Sequence, residues 1–179
     1  MLTGNRMISI GLALSMITAV SCSRPATPTM PLHTAISKQN AAQVRVHINH
    51  GTNINGEFIP AGYPFAGAGT LHHAVLVNNR EIARMLLDAG ANVEMKSLDG
   101  SLSTPLIWAA YWGISDMVEF LVEYGADIAA TDAFGTTPLQ AASIENVFVQ
   151  GKDPTNIKEF NAQRADIQEY LKNKGAQVN

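Results

Sequence analysis

The sequence predicts an all-α solenoid of about four helix-turn-helix repeats joined by hairpin loops. Three observations predict it. Pro105 and Pro138 lie 33 residues apart, in TPLIWAA from Thr104 and TPLQAA from Thr137, with weaker copies at Pro31–Ala35 (PLHTA) and Thr70–Ala74 (TLHHA). In the first three copies a glycine (Gly51, Gly90, Gly125) follows Pro31, Thr70 or Pro105 by 20 residues. Similar endings recur as GTNIN, GANVE, GADIA and GAQVN, starting at Gly51, Gly90, Gly125 and Gly175. A period of this length marks units that bury their apolar faces on one another.

The segment before the array is different in kind. Arg6 is the only charged side chain ahead of the 14-residue apolar run Met7–Val20, which meets Ser21-Cys22. That run is shorter than the roughly 20 residues a membrane-spanning helix needs. A basic start, a short apolar stretch and small residues predict a secretory signal peptide over residues 1–21. Ala19-Val20-Ser21-Cys22 resembles a bacterial lipobox, in which the cysteine is lipidated and becomes the new N-terminus. Ala19-Val20-Ser21 also satisfies the small-x-small rule of ordinary signal peptidase, so both processing routes fit. Ser23 after the cysteine implies the outer membrane, and Ser23–Thr29 reads as a Pro/Ser/Thr tether. Cys22 is the only cysteine, so no intramolecular disulfide is available and packing alone must hold the domain. Met30, just before Pro31, offers an internal start that would yield a cytosolic isoform.

Residues 30–179 then divide into repeats at about 30–66, 67–102, 103–135 and 136–179. Each places a short helix behind its Pro-Leu turn and a longer antiparallel helix behind that. Ile82, Met85, Leu86 and Leu87 supply the buried stripe of the second repeat, and Met117, Val118, Phe120 and Leu121 that of the third. Gly90 and Gly125 end their helices. Asn40, Gln43, Arg45 and His47 make the first repeat polar, as a terminal cap facing water requires, and Gln168 and Lys172 relax the last one. Three places depart from the period. Six extra residues fall in the aromatic-rich finger Phe58–Gly69, and a shorter excess falls in Leu98–Ser103. About 17 more lie near Val147–Gln163, where Asp153-Pro154-Thr155 predicts the start of a long helix to Lys172. Such insertions either contact partners or drift without consequence.

The TPLHxAA turn, two short helices and GA(D/N) ending resemble the ankyrin repeat over roughly Met30–Asn179. That resemblance implies a non-enzymatic module that binds protein through hairpin tips and the exposed face of the first helices. On those surfaces the candidate partner-binding residues are Tyr111, Trp112, Phe134, Trp108, Tyr63 and Phe65; Trp112 packed on a neighbouring repeat is the rival reading. Glu119 and Glu123 join them on charge. Between Ser97 and Gly151 there are seven acidic residues (Asp99, Asp116, Glu119, Glu123, Asp127, Asp132, Glu145) and no Lys or Arg, a field that would steer a basic partner surface. Asp127 and Asp132 also suit simple turn formation. The formal charge of −3 argues against a nucleic-acid partner.

The five histidines read as structural rather than metal-binding. His33 and His72 take the place where the resemblance implies a ring bonded to a neighbouring hairpin. His47 and His50 lack a third ligand at useful spacing. No cofactor is expected, and the sequence lacks a G-x-S-x-G elbow, an H-E-x-x-H pair and a phosphate-cradling glycine loop. Ankyrin-repeat lipoproteins of this size resemble immunity proteins paired with type VI secretion effectors, notably phospholipases. The leading expectation is therefore an envelope immunity protein that binds a toxin with a basic surface, anchored in the periplasm by Cys22. The alternatives are a periplasmic ankyrin protein supporting an envelope enzyme, for example in peroxide stress, and an envelope scaffold.

Overall fold

The computed structural model describes residues 26–144 and 154–177, with the backbone alone at 154 and 155. The expected signal peptide, Cys22, the first residues of the tether, Glu145 and the stretch Val147–Asp153 lie outside the described residues, as do Val178 and Asn179.

Among the described residues eight helices form four pairs: α1 (Leu32–Ser37) with α2 (Ala41–His50), α3 (Thr70–Leu76) with α4 (Arg80–Asp88), α5 (Pro105–Tyr111) with α6 (Ser115–Glu123), and α7 (Pro138–Ala141) with α8 (Pro154–Asn173). The first seven have only 4–10 residues. Isolated helices that short are unstable in water, so their order must come from stacking. Local chemistry sets the ends. Asn40 and Asn79 accept from the backbone N–H of Gln43 and Ile82, at 3.1 and 3.0 Å. Thr104 caps α5 ahead of Pro105, and Thr137 with Gln140 forms a reciprocal capping box on α7. The C-terminal glycines Gly51, Gly90, Gly125 and Gly175 are all left-handed, as their spacing predicts.

The first helices stand side by side, α1 on α3, α3 on α5 and α5 on α7, with the second helices behind them. Between the layers lies one continuous core. It includes Leu32, Leu71, Leu86, Leu106, Phe120 and Leu171, each almost fully buried. Burying a side chain of this size contributes about 1.5–3 kcal/mol. The third-repeat stripe Met117, Val118, Phe120 and Leu121 is wholly inside, whereas Met85 and Leu87 of the second are only partly covered. α8 extends one residue past the expected Lys172 and closes the stack against α5, α6 and α7.

Two expectations about histidines need correction. His47 does not face water: it is 6% exposed, with Nε2 against the Met30 carbonyl (2.7 Å) and Nδ1 against Thr52 Oγ1 (3.0 Å). Its ring ties α2 to the chain entering the array. His33 is not bonded to a neighbouring hairpin as His72 is; its ring meets the edge of Tyr63, with centroids 5.5 Å apart.

The insertions Phe58–Gly69 and Leu98–Ser103 form fingers, whereas the described part of the Val147–Gln163 insertion belongs to α8. Phe58–Gly69 closes at its base through an antiparallel bridge between Phe58 and Gly69, with Ile59 N–H donating to Ala68 O at 2.8 Å. Ile59 and Ala68 then pack with Trp108 in a small second core over Leu76 and Trp112. The two fingers and the third-repeat hairpin around Asp132–Thr136, a third finger, also join one another. Leu98 N–H donates to Gly67 O (2.8 Å), and Ala133 N–H donates to Ser101 O (2.8 Å). Gly67 has φ +86°, and a Cβ there would lie 2.7 Å from the Leu98 carbonyl carbon. Only glycine meets both demands. Gly67→Ala should therefore cost more than about 1 kcal/mol and speed amide exchange at Leu98; an unchanged denaturation midpoint and exchange rate would refute this docking.

Candidate functional site

Between the fingers and the first-helix layer lies a groove of about 360 Å³. Cavities that hold small ligands or side-chain anchors start near this size. Its floor belongs to α5, whose seven residues place Ile107, Trp108 and Tyr111 along one stretch, with Trp112 just beyond. One wall is Phe65 from the first finger, and the other is Phe134 from the third-repeat hairpin. Ala141 and Ile144 close the far end. Trp108 is 8% exposed and Phe134 is 78% exposed, so the groove grades from a buried floor to an open lip.

Aromatic rings dominate it, and they meet edge to face. Phe65 lies 6.2 Å from Trp108 and 5.7 Å from Trp112, and Trp112 lies 5.3 Å from Tyr111. Such pairs contribute about 0.5–1.5 kcal/mol each beyond the area they bury. Phe65 is held at φ +61°, a conformation that bulky residues rarely adopt. The bridge at the finger's base and the two tryptophans hold it there.

The polar side of the groove is acidic. Asp99 Oδ1 accepts from the hydroxyls of Ser97 and Ser101, both at 2.7 Å, and from Ser101 N–H at 3.0 Å. Burial opposes its charge, but these hydrogen bonds outweigh that and hold its carboxyl below the usual carboxylate range. Asp132 Oδ1 accepts from the N–H groups of Phe134 and Thr136, each at 2.8 Å. Both aspartates thus build their finger turns with one oxygen. Neither carboxylate forms an ion pair among the described residues, and none of the described residues lining the groove is a lysine or arginine.

Behind the floor sit two buried histidines. His72 Nε2 donates to Ser103 O at 2.9 Å, and its ring lies 5.0 Å from that of Trp108. His73 Nε2 meets Ser37 Oγ at 2.9 Å. In each ring Nδ1 has no partner. Burial pushes both pKa values down to about 4, with His33 adding to the effect at His73. Both rings are neutral at pH 7 and serve as inter-repeat struts.

Residues 71–149 match the family model described as "Ankyrin repeats (3 copies)". The fold is an ankyrin-repeat solenoid. The chain is 38% identical over 84 residues to mouse Rabankyrin-5, covering 40% of this chain and 7% of that protein. It is 41% identical over 76 residues to the fruit-fly ARF GTPase-activating protein Git, covering 42% of this chain and 10% of that one. A putative ankyrin repeat protein of fowlpox virus aligns over 170 residues at 25% identity, covering 80% of this chain and 37% of its own length. The chain therefore spans well under half of each of these relatives. Ankyrin repeats form a protein-interaction module.

The ankyrin array brings together five of the expected contact residues: Phe65, Trp108, Tyr111, Trp112 and Phe134. Trp108 is largely buried, so it supports the floor more than it offers contact surface. Tyr111 and Trp112 are half-buried, and Trp112 does pack on the finger of the preceding repeat. Tyr63 belongs to a neighbouring concavity of about 310 Å³ with His33, Leu76 and Val77, on the other side of Phe65. Glu119 and Glu123 are not in the groove. They lie on α6, where Glu123 pairs with Arg80 of α4 at 3.1 Å and both carboxylates hold the Tyr170 pKa up after burial. The acidic stretch is thus split between surfaces, and of its described residues Asp99 and Asp132 line the groove. Asp127 makes a turn, accepting from Ala129 N–H at 2.8 Å.

One residue escaped the sequence reading. Arg164 of α8 is 6% exposed and donates to the carbonyls of Ala142 (2.9 Å), Ala141 (3.2 Å) and Ile144. It caps the four-residue α7 and secures the end of the groove. Among the described residues no helix is long and apolar enough to cross a membrane, and no group of three metal-ligating side chains converges.

Proposed function

We propose that this chain is a non-enzymatic recognition module of a bacterial envelope, tethered through lipidated Cys22, and that it is an immunity protein. In this reading it neutralises a secreted toxin, such as a phospholipase effector of type VI secretion, by covering the toxin's active-site entrance. The observation that carries the binding role is the open aromatic groove, with a supported floor at Trp108 and an exposed lip at Phe134. That gradation is the composition of a binding hot spot, where aromatic anchors sit in a desolvated centre. The address rests on the basic, apolar and small-residue pattern of residues 1–22, joined to the lipobox resemblance. A steric inhibitor needs no catalytic group, which agrees with the interaction fold.

Affinity capture from the native organism with the tagged chain tests the proposal. The expected result is recovery of a secretion-linked toxin, with Trp112→Ala and Phe134→Ala each weakening capture about tenfold or more while circular dichroism stays unchanged. Recovery of only housekeeping envelope proteins would overturn the immunity reading in favour of a stress or scaffold role.

A further inference from the structure

We infer that the groove takes an arginine side chain presented by a loop of the protein partner. This rests on the reading that the groove is the partner site. Three features converge on it. The floor and walls are aromatic, and Phe65 and Phe134 remain 46% and 78% exposed, which leaves ring surface for an entering group. A cation is attracted to such faces, most strongly to tryptophan. Two carboxylates flank the rings, Asp99 on the second finger and Asp132 on the third. Each spends Oδ1 on its own turn, and Oδ2 of each accepts no hydrogen bond among the described residues. Finally, none of the described residues that line the groove is basic.

Arginine fits this better than lysine does. Its guanidinium is planar and weakly hydrated, so its face can lie on a ring while its edge donates to carboxylates. A lysine ammonium is a compact, strongly hydrated point charge with no face to stack. Arg164 of the chain itself donates to the carbonyls of Ala141, Ala142 and Ile144 and is not among the described residues that line the groove. A docked loop would also cover the exposed rings of Phe65 and Phe134, which a free small cation would leave wet.

The chain supplies its own reporter, because both of its tryptophans line this groove. Intrinsic fluorescence of the full chain in detergent should change saturably with acetyl-Phe-Arg-Gly-amide. The neutral isostere with citrulline in place of arginine should bind at least tenfold more weakly. Asp99→Asn and Asp132→Asn keep the Oδ1 acceptor that each turn requires, and each should reduce the preference for arginine over citrulline. If one variant misfolds by circular dichroism, the other still decides. Equal binding of the two peptides, no saturable response, or tighter binding of choline than of the arginine peptide would overturn the inference. The test separates from that of the proposed function. Capture of a toxin undiminished by Asp99→Asn and Asp132→Asn would sink the arginine anchor alone. Arginine-selective binding without any toxin recovered would sink the immunity role alone.

Discussion

Acidification from pH 7 to pH 4 should strip about 6 kcal/mol from the stability of the array, about 3 kcal/mol from each of two histidines. His72 and His73 are buried neutral, with folded pKa values of about 4 against an ordinary 6.5. Between those values the unfolded chain binds protons that the folded chain refuses. The stabilisation is therefore complete above about pH 6.5 and is lost as the pH falls to 4. Loss of this size compares with the whole stability of an ordinary domain, about 5–15 kcal/mol. Asp99 works in the same direction at lower pH, because its depressed pKa contributes stability above the ordinary carboxylate range that disappears on protonation. Urea midpoints measured from pH 7.5 to 4.5 should fall steeply, with nearly two protons taken up on unfolding near pH 5. His72→Gln and His73→Gln should each remove about one proton from that slope. A flat profile in the native chain would show that the two rings are not buried neutral.

Replacing Arg164 by leucine should release the C-terminal end of the stack while leaving the rest folded. The substitution removes the donors to three carbonyl oxygens at the end of α7. A buried acceptor left without a partner costs about 1–3 kcal/mol, so the loss reaches about 3 kcal/mol or more. α7, with four residues, has no internal reserve against that loss. Amide exchange should quicken across 138–144 and 156–173, with α1–α6 little changed. Arg164→Lys should recover only part of the protection, because a point charge cannot fork to three carbonyls. Uniform exchange across the chain in Arg164→Leu would instead mean that the array melts as one unit.

The helical framework was readable in the sequence because it is written locally and repeatedly. Thr104-Pro105 and Thr137-Pro138 start helices wherever they occur, and the glycines at 51, 90, 125 and 175 stop them. The long last helix was readable from Pro154. What escaped depends on which distant side chain arrives opposite. Arg164 looks like an ordinary solvated helix residue until α8 lays it across the end of α7. Glu119 and Glu123 look like part of one acidic face with Asp99 until the helical hairpin turns them away from the groove. Trp108 reads as exposed from its position behind the Pro-Leu turn, but the inserted finger covers it with Ile59 and Ala68. His33 and His72 share a place in the motif, yet only His72 has a following hairpin carbonyl, that of Ser103, within reach.

The backbone links from Gly67 to Leu98 and from Ser101 to Ala133 make the three fingers one rail rather than three independent prongs. A rail shares any load placed on one of its sections, so pressing on Phe134 is resisted by the finger that carries Phe65. It also narrows the routes by which recognition can change. Lengthening or shortening one finger would throw its neighbours out of register, whereas exchanging the side chains at Tyr63, Phe65 or Phe134 leaves the rail intact. New specificities on this scaffold would therefore arise by altering what the rail carries, not how it is laid.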